Sequence, residues 1–318
     1  MALTASSKLA LKRGALITAA NWQVVVLQFV ADALFSALLA VPVVGGAALV
    51  VLTSDLAPRD LFEQGIRRAV PAVAAALLAH PVALIAFLVA VGVALLGGSL
   101  FMAFVKGGTI AVLLEADAAA GPIEHPPLRL DAVRRAGRFR LEAATNGAQR
   151  LFGRFARLGI GLFVAYAAIG GSALAWVVGE GTPDSAWDAA RIGGVTLAVI
   201  VAYTLVNLAY LLLQITVAID DCDAAAAVPR AVALVAREPL AIGLVFAAVS
   251  TLVALGTAAS FLATAALGLI AFVPFVGLAA LPLQVGAWMV RGLLFQFLGL
   301  TALVAYVRLY RGDPGDRG

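Results

Sequence analysis

A carboxylate and an amine inside apolar segments are the residues of this sequence best suited to chemistry. Asp32 lies about 10 residues into an apolar run, or about 15 Å deep if that run is a spanning helix. Gln28, Asp32 and Ser36 recur at intervals of four and therefore share one helix face. Lys106 lies in the next apolar run, about 11 residues before Asp117, at a similar depth. We expect Asp32 and Lys106 to meet.

Such an intramembrane pair has two interpretations. A charge inside a bilayer is costly, so ionisable residues there pair with one another or mark a path for protons, ions or substrates. The functional interpretation is therefore a proton or cation relay, or a polar lining for a substrate path. The structural interpretation is a neutralised ion pair that fixes helix register. One visible pair favours the second, because pumps usually carry chains of ionisable groups.

Clustered aspartates are the second candidate for chemistry, because carboxylates at a helix end can hold Mg²⁺ and a diphosphate. Asp220, Asp221 and Asp223 form such a cluster. A paired acidic motif is missing, since Glu115 with Asp117 lacks the required spacing. A solvated acidic helix end explains the cluster without a metal. We expect no cofactor, no metal site and no enzymatic activity, with an Mg-dependent membrane transferase as the remaining alternative.

The elements that position these residues are membrane helices. The chain is 63% hydrophobic and only 13% charged, with a mean hydropathy of +1.03, whereas a soluble domain carries about 25% charged residues. A spanning helix needs about 20 apolar residues to cross a hydrocarbon core about 30 Å thick. We predict an all-α, polytopic helical bundle that forms a single membrane domain over residues 1–318. Six runs are long enough: Trp22 to Val44, Pro81 to Leu113, Leu158 to Val178, Gly194 to Ile219, Pro239 to Ala263 and Gly286 to Val307.

Glycine pairs within these runs point to helix contacts. The second run is long enough to tilt, or to break at Gly97-Gly98 or Gly107-Gly108. In apolar spans, small residues allow helices to approach closely, so we expect the pairs to mark packing seams. Asn207, Gln214 and Gln296 are expected to form hydrogen bonds between helices.

Orientation follows from the positive charges, because cytoplasmic loops hold an excess of Lys and Arg. The loop between the second and third runs is rich in arginine, and the same parity places Lys8, Lys12 and Arg13 and the Arg308 to Arg317 tail on that side. The exception is the first outer loop, with Arg59, Arg67 and Arg68. We predict a bacterial inner (plasma) membrane protein with both termini in the cytoplasm. The arginines of the cytoplasmic loop are Arg129, Arg134, Arg135, Arg138, Arg140, Arg150, Arg154 and Arg157.

Three stretches that precede the odd-numbered spans are typical of amphipathic helices on the cytoplasmic surface: Ser7 to Ala20, Leu130 to Arg157, and Ala224 to Arg237. Each leads into a hairpin of two spans, which suggests three hairpins; ordinary surface loops are the alternative. Ile110 to Ala120 also resembles Thr216 to Ala226, as a repeat or as coincidence in alanine-rich sequence.

The C-terminal half carries a resemblance to a known family. Ile219 to Arg237 (IDDCDAAAAVPRAVALVAR) joins an acidic helix end to an alanine-rich amphipathic helix with an arginine, and Leu303 to Arg311 reads LVAYVRLYR. Together they resemble bacterial six-span membrane proteins of unknown function that are related to the membrane domain of membrane-anchored glycerophosphodiester phosphodiesterases. The resemblance consists of hydrophobic patterns and implies topology. The hydrolase reaction of that family belongs to a separate soluble barrel, for which we expect no room here, so no activity is implied.

The resulting functional hypothesis is a non-enzymatic membrane scaffold or partner subunit. The chain has a net charge of +4, and its basic residues lie beside apolar runs. This placement favours a membrane surface over nucleic acid as partner. Anionic headgroups at the cytoplasmic face, a protein partner or a second copy of the chain are the expected contacts. The alternative is a small transporter or permease subunit that uses the polar site of Gln28, Asp32, Ser36 and Lys106. The residues expected to contact anionic lipid are Arg134, Arg135, Arg138 and Arg140.

Overall fold

The computed structural model describes residues 5–53, 79, 81–125, 130–180, 185–271 and 276–312. Helices account for all the regular structure of these residues, and no strand occurs among them. Alanine, leucine and valine dominate the long helices, whose backbone groups are bonded within each segment, as an apolar surrounding demands. The helices are α1 Ala5–Ala20, α2 Trp22–Thr53, α3 Pro81–Ala120, α4 Leu130–Ala136, α5 Leu141–Glu180, α6 Ala186–Asp220, α7 Ala224–Arg237, α8 Pro239–Ala271 and α9 Val276–Arg311.

Six of these helices are long and apolar enough to cross a membrane, which confirms the predicted multi-pass helical membrane protein. Large apolar side chains stand exposed along them, for example Leu96 on α3, Leu255 on α8 and Leu283 on α9. Hydrocarbon, unlike water, solvates such a surface without cost. The spans are Trp22–Gly46, Leu84–Ala120, Leu141–Trp176, Ala186–Asp220, Pro239–Ala266 and Pro282–Arg311.

The three predicted amphipathic stretches have different outcomes. Ala224–Arg237 is a helix with the predicted bounds. The stretch Leu130 to Arg157 is not one helix, because α4 ends at Ala136 and α5 then continues from Leu141 into the span. The Asn21 side chain stabilises this break by donating from Nδ2 to the Ala136 carbonyl oxygen at 2.8 Å and accepting from the Arg138 amide at 3.0 Å.

Helix α1 also differs from the amphipathic surface helix predicted for Ser7 to Ala20. One of its faces is buried and consists of small and polar residues as well as apolar ones, including Ser7, Ala10 and Ile17. Gly14 lies against the α9 backbone, where an added Cβ would collide with the Thr301 carbonyl oxygen. Close backbone approach therefore holds α1, rather than an apolar stripe.

Helix α3 runs through both of its glycine pairs without a break, so the predicted breaks are absent. A helix whose surroundings offer no water keeps its internal hydrogen bonds, and glycine alone does not interrupt them. The pair Gly107-Gly108 instead forms the predicted packing seam: a Cβ on Gly108 would lie 2.5 Å from the Ala144 oxygen of α5. Gly147 faces Ala111 in the same seam.

The chain falls into two compact units, Met1–Phe29 with Phe104–Gly318, and Val30–Ala103. Their boundaries lie within α2 and α3. Within the second unit, the Phe35 ring lies against Gly98 and the Phe87 ring against Gly46. The single domain over residues 1–318 stays a prediction. Arg59, Arg67 and Arg68 of the predicted first outer loop lie outside the described residues.

Candidate functional site

The segments that the charge pattern assigns to one membrane side come together at one end of the first unit. Asn21, after α1, bonds to the end of α4. Arg237, at the end of α7, donates from Nη2 to the Leu309 carbonyl oxygen of α9 at 3.1 Å. Arg154 of α5 pairs with Asp221, which follows α6, with Nη1 and Oδ1 2.5 Å apart. These contacts join helices that the sequence places on a common side.

At this end, three arginines and two acids form what we call the ion cluster: Arg13, Asp117, Glu124, Arg308 and Arg311. Arg13 Nε lies 2.6 Å from Asp117 Oδ1, and its Nη1 lies 2.8 Å from Glu124 Oε2. Its Nη1 and Nη2 also donate to the carbonyl oxygens of Gly121 and Asp117 at 2.6 and 2.7 Å. Arg13 therefore binds both carboxylates and the end of α3 together.

Each carboxylate of the ion cluster has a second arginine partner on α9. Arg308 Nη1 lies 2.5 Å from Glu124 Oε1, and Arg311 Nη1 lies 2.7 Å from Asp117 Oδ2. The two acidic side chains are only 5% and 1% exposed, which makes this full pairing necessary. Burial opposes the charge of Arg13, but its bonds to Asp117 and Glu124 outweigh burial and raise the pKa of its guanidinium. The arginine remains charged.

A cavity of about 490 Å³ opens beside the ion cluster, with Pro122 and His125 on its wall. Three guanidiniums against two carboxylates leave a formal charge of +1 on the cluster. The cluster was not predicted from the sequence: Arg13 and Arg308 were expected to set orientation, and Asp117 to belong to a poor Mg²⁺ motif. The available signal was a pair of acids closing an apolar helix end on the side predicted to be rich in arginine.

A second polar cavity lies between the spanning helices of the first unit, and we call it the Lys106 cavity. Its volume is about 230 Å³. Lys106 Nζ lies 5.1 Å from the ring centroid of Tyr210, and Thr109 Oγ1 donates to Gln28 Oε1 at 3.2 Å. Its lining is Gln28, Lys106, Thr109, Ile110, Asn207, Tyr210, Leu211, Gln214, Gln296, Gly299, Leu300 and Leu303.

Two amides on α6 differ in how their hydrogen bonds are satisfied. Asn207 accepts from the Tyr166 hydroxyl at 2.6 Å and donates to the Tyr203 carbonyl oxygen at 3.0 Å. Gln214 is 3% exposed, and its Nε2 has no hydrogen-bond partner within the part of the chain that the structure describes. Both amides belong to the polar lining of the Lys106 cavity.

The structure brings together part of the predicted intramembrane site. Gln28 and Lys106 line one cavity, together with Asn207, Gln214 and Gln296, which were predicted as hydrogen-bonding residues. Asp32 and Ser36 belong to the second unit and are exposed there, so the pairing of Asp32 with Lys106 stays a prediction. Thr109 and Tyr210 were not predicted from the sequence. The spacing of three and four residues from Asn207 to Tyr210 to Gln214 could have identified Tyr210, since it places them on one helix face.

The four arginines predicted to contact lipid are exposed on α4 and in the segment that follows it: Arg134, Arg135, Arg138 and Arg140. Arg138 Nε donates to the Arg135 carbonyl oxygen at 3.0 Å, which orders that side chain. Arg140 Nη2 is 3.7 Å from Glu142 Oε2, in a largely exposed pair of little energetic weight. The four exposed arginines together form a basic surface.

The aspartate cluster at the end of α6 interacts with basic and hydroxyl groups. Asp220 Oδ2 accepts from Arg230 Nη1 at 2.9 Å and from the Tyr310 hydroxyl at 2.6 Å. The hydrogen bond from Arg154 lowers the pKa of Asp221. Within the described ranges, no group of three or more His, Cys, Asp or Glu side chains is placed to hold a metal ion.

Comparisons with protein-family models, curated proteins and solved structures found no match to this chain. The resemblance to the membrane domain of membrane-anchored glycerophosphodiester phosphodiesterases therefore stays a prediction.

Proposed function

We propose that this multi-pass protein is a non-enzymatic scaffold or partner subunit of a bacterial inner membrane, with both termini in the cytoplasm and anionic lipid bound by its exposed arginines. The observation that carries the proposal is the exposed position of Arg134, Arg135, Arg138 and Arg140. They lie next to the end of the bundle where Asn21 bonds to Ala136. A surface of this kind suits a leaflet rich in anionic headgroups or an acidic partner protein.

The strength of the attraction between this surface and anionic lipid depends on the number of charges. Each Lys or Arg near an anionic leaflet contributes about 1 kcal/mol, and the attraction falls off within a Debye length of about 8 Å at physiological salt. Four arginines on one short helix and its extension lie close enough to act together. The buried arginines at the same end, such as Arg13, are engaged with carboxylates and add little to this surface.

The test is the lipid composition around the reconstituted protein. In small nanodiscs prepared from phosphatidylcholine with a minority of phosphatidylglycerol, mass spectrometry of retained lipid should show enrichment of phosphatidylglycerol. Replacing all four arginines by Gln should remove most of that enrichment, while replacing them by Lys should preserve it, because the attraction depends on charge. Equal enrichment in the Gln variant would remove lipid binding from the proposal.

A second candidate, a small transporter or permease subunit, is favoured by one observation: the Lys106 cavity opens among helices long enough to span a membrane. Ionisable residues in such helices commonly line substrate or proton paths. Reconstituted Asp32→Asn protein that folds normally but loses a proton- or ion-coupled flux would support this candidate. A variant that only loses stability would instead support a structural role for Asp32.

A further inference from the structure

Helix α7 joins two spanning helices but is too short to cross a membrane itself. It has 14 residues, whereas a span needs about 20. Residues 221–223 separate it from the end of α6, and Glu238 alone separates it from the start of α8. Because both of its ends are fixed where a span leaves the bilayer, α7 runs along the boundary of the membrane.

One face of α7 packs against the protein. Ala227, Ala231 and Leu234 are buried, and their spacing of four and three residues places them on the same side of the helix. The helices that they pack against are α5, α6 and α8. The rest of the helix surface therefore faces away from the bundle.

The two arginines of α7 bond back to the bundle. Arg230 Nη1 lies 2.9 Å from Asp220 Oδ2, and Arg237 Nη2 donates to the Leu309 carbonyl oxygen at 3.1 Å. The two arginines are seven residues apart and so share one side of the helix. Their bonds fix the rotation of α7 about its axis.

The outward surface of α7 is apolar. Val228, Val232 and Val235 recur at intervals of four and three residues and are exposed, Val232 by 62%. Apart from the two arginines, every exposed residue of this helix is valine, alanine or proline. A helix that faces water carries polar and charged residues on its outward side. The outward side of α7 is therefore not suited to water. Its other exposed residues are Ala225, Ala226, Pro229, Ala233 and Ala236.

The surroundings of α8 indicate what covers this surface. Leu240, in the first turn of α8, is 63% exposed, and exposed leucines continue along that span at Leu252 and Leu255. Hydrocarbon solvates such side chains without cost. The exposed valines of α7 are thus followed directly in the chain by side chains that face lipid. A protein partner usually meets a polar rim around an apolar centre, and α7 has no polar side chain on its outward side.

We propose that α7 is embedded in the lipid leaflet, with Val228, Val232 and Val235 in contact with acyl chains. This differs from a helix that lies on the headgroups with a polar face toward water. Interfacial helices bury an apolar face about 5–10 Å into the boundary between headgroups and acyl chains. The contact depends on apolar side chains and is independent of the exposed arginines of α4 and of anionic lipid.

The experiment uses the full chain with Cys222 replaced by Ser, in nanodiscs of phosphatidylcholine alone. A nitroxide spin label is attached at Val232→Cys, and its collisions with oxygen and with a water-soluble nickel chelate are measured. Oxygen concentrates in hydrocarbon, whereas the chelate stays in water. Leu255→Cys is the control for a side chain in lipid, and Lys12→Cys is the control for an exposed polar position on α1.

We expect collisions with oxygen to predominate at Val232, as at Leu255, and collisions with the chelate to predominate at Lys12. More frequent collisions with the chelate at Val232 would place α7 in water and overturn the proposal. Exclusion of both reagents would also overturn it, because a protein, such as a second copy of this chain, would then cover the helix. The result should be unchanged when the four exposed arginines are replaced by Gln; loss of the oxygen preference in that variant would contradict an apolar contact.

A second measurement serves if the labelled protein fails to fold. Reaction with a maleimide requires the thiolate, which forms readily only in water. The unlabelled cysteine of Val232→Cys should therefore react at least tenfold more slowly than that of Lys12→Cys in the folded protein, and the two rates should become similar after denaturation. Equal rates in the folded protein would contradict the embedded position of α7.

Discussion

Arg13 and Asp117 are joined at 2.6 Å although 104 residues separate them along the chain. The contact fastens α1 to the end of α3, and Arg311 holds the other oxygen of the same carboxylate at 2.7 Å. Removal of Arg13 would break its hydrogen bonds to both buried carboxylates and to two carbonyl oxygens at the end of α3, and each carboxylate would keep one arginine partner. The penalty is then larger than the strength of a single hydrogen bond.

Arg13→Gln should therefore destabilise the folded protein by about 3–5 kcal/mol, because Asp117 and Glu124 would each lose a partner while remaining buried. Unfolding by denaturant or heat in nanodiscs measures the loss. Lys12→Gln is the matched control, since its side chain is exposed on the same helix and should change stability by less than about 0.5 kcal/mol. If Arg13→Gln lowered the free energy of unfolding no more than Lys12→Gln does, the ion cluster would not stabilise the fold.

Gly14→Ala should weaken the packing of α1 on α9 by about 1–3 kcal/mol, because the new Cβ would overlap the Thr301 carbonyl oxygen. A backbone atom cannot rotate away as a side chain can. Gly153→Ala, on α5, is the control: a Cβ there meets no atom within 4 Å, and alanine favours the helix. The unfolding temperature should fall for Gly14→Ala and rise or stay constant for Gly153→Ala; the reverse order would refute the close approach.

The pair of Asp221 with Arg154 predicts a stability contribution that depends on acid pH. Arg154 lowers the pKa of Asp221 from its ordinary value of 3.8, chiefly through a hydrogen bond. A carboxyl group with a lower pKa in the folded state stabilises that state above its unfolded pKa, and the contribution is lost as pH falls through the folded pKa. The difference in unfolding temperature between wild type and Asp221→Asn should thus be constant near neutrality. It should disappear as the pH falls below about 4.

Asn is the suitable replacement because Asp221 has a φ of 50°, in the left-handed region that Asn tolerates well. The effect should be small, since Asp221 is exposed. Arg154→Gln should abolish the same pH dependence. A gap that persists unchanged below pH 3 would show that the two residues do not interact through charge.

Topology can be tested with single cysteines in a protein whose Cys222 is replaced by Ser. With cysteine at Arg138 or at Asp184, a membrane-impermeant thiol reagent outside spheroplasts should label only the Asp184 site. An outward arginine loop would oppose the membrane potential at about 2.3 kcal/mol per charge per 100 mV. Labelling at Arg138 from outside, or none at Asp184 when permeabilised cells show a reactive thiol, would overturn the orientation with both termini inside.

The spans and the helix Ala224–Arg237 could be predicted from sequence because they depend on local properties: apolar length for the spans, and alternating faces for the helix. The division of the stretch Leu130 to Arg157 between two helices could not be predicted from sequence. It depends on Asn21, whose amide bonds to Ala136 across 115 residues of chain. The hydrophobic periodicity within the stretch gives no information about that distant partner.

The ion cluster and the placement of α1 were not predictable for the same reason. Charge counting assigned Arg13 to a membrane side, but no local pattern reveals which carboxylate it will meet. The buried face of α1 contains Ser7 and Thr18, and a search for apolar stripes does not recognise a face that depends on small residues and an arginine. Gln28 and Lys106 were identified because isolated polar residues stand out in apolar runs; Tyr210 was not, because tyrosine is common near membrane surfaces.

The ion cluster can be completed only late in the synthesis of the chain. Asp117 can meet Arg13 as soon as α3 has been made, but Arg311 is 194 residues later and follows only after about 10–40 s of translation. During that interval, the two acids hold a single arginine between them and carry an excess of negative charge. The newly made protein therefore carries two incompletely paired acids at the end of α3 until α9 docks and supplies Arg308 and Arg311.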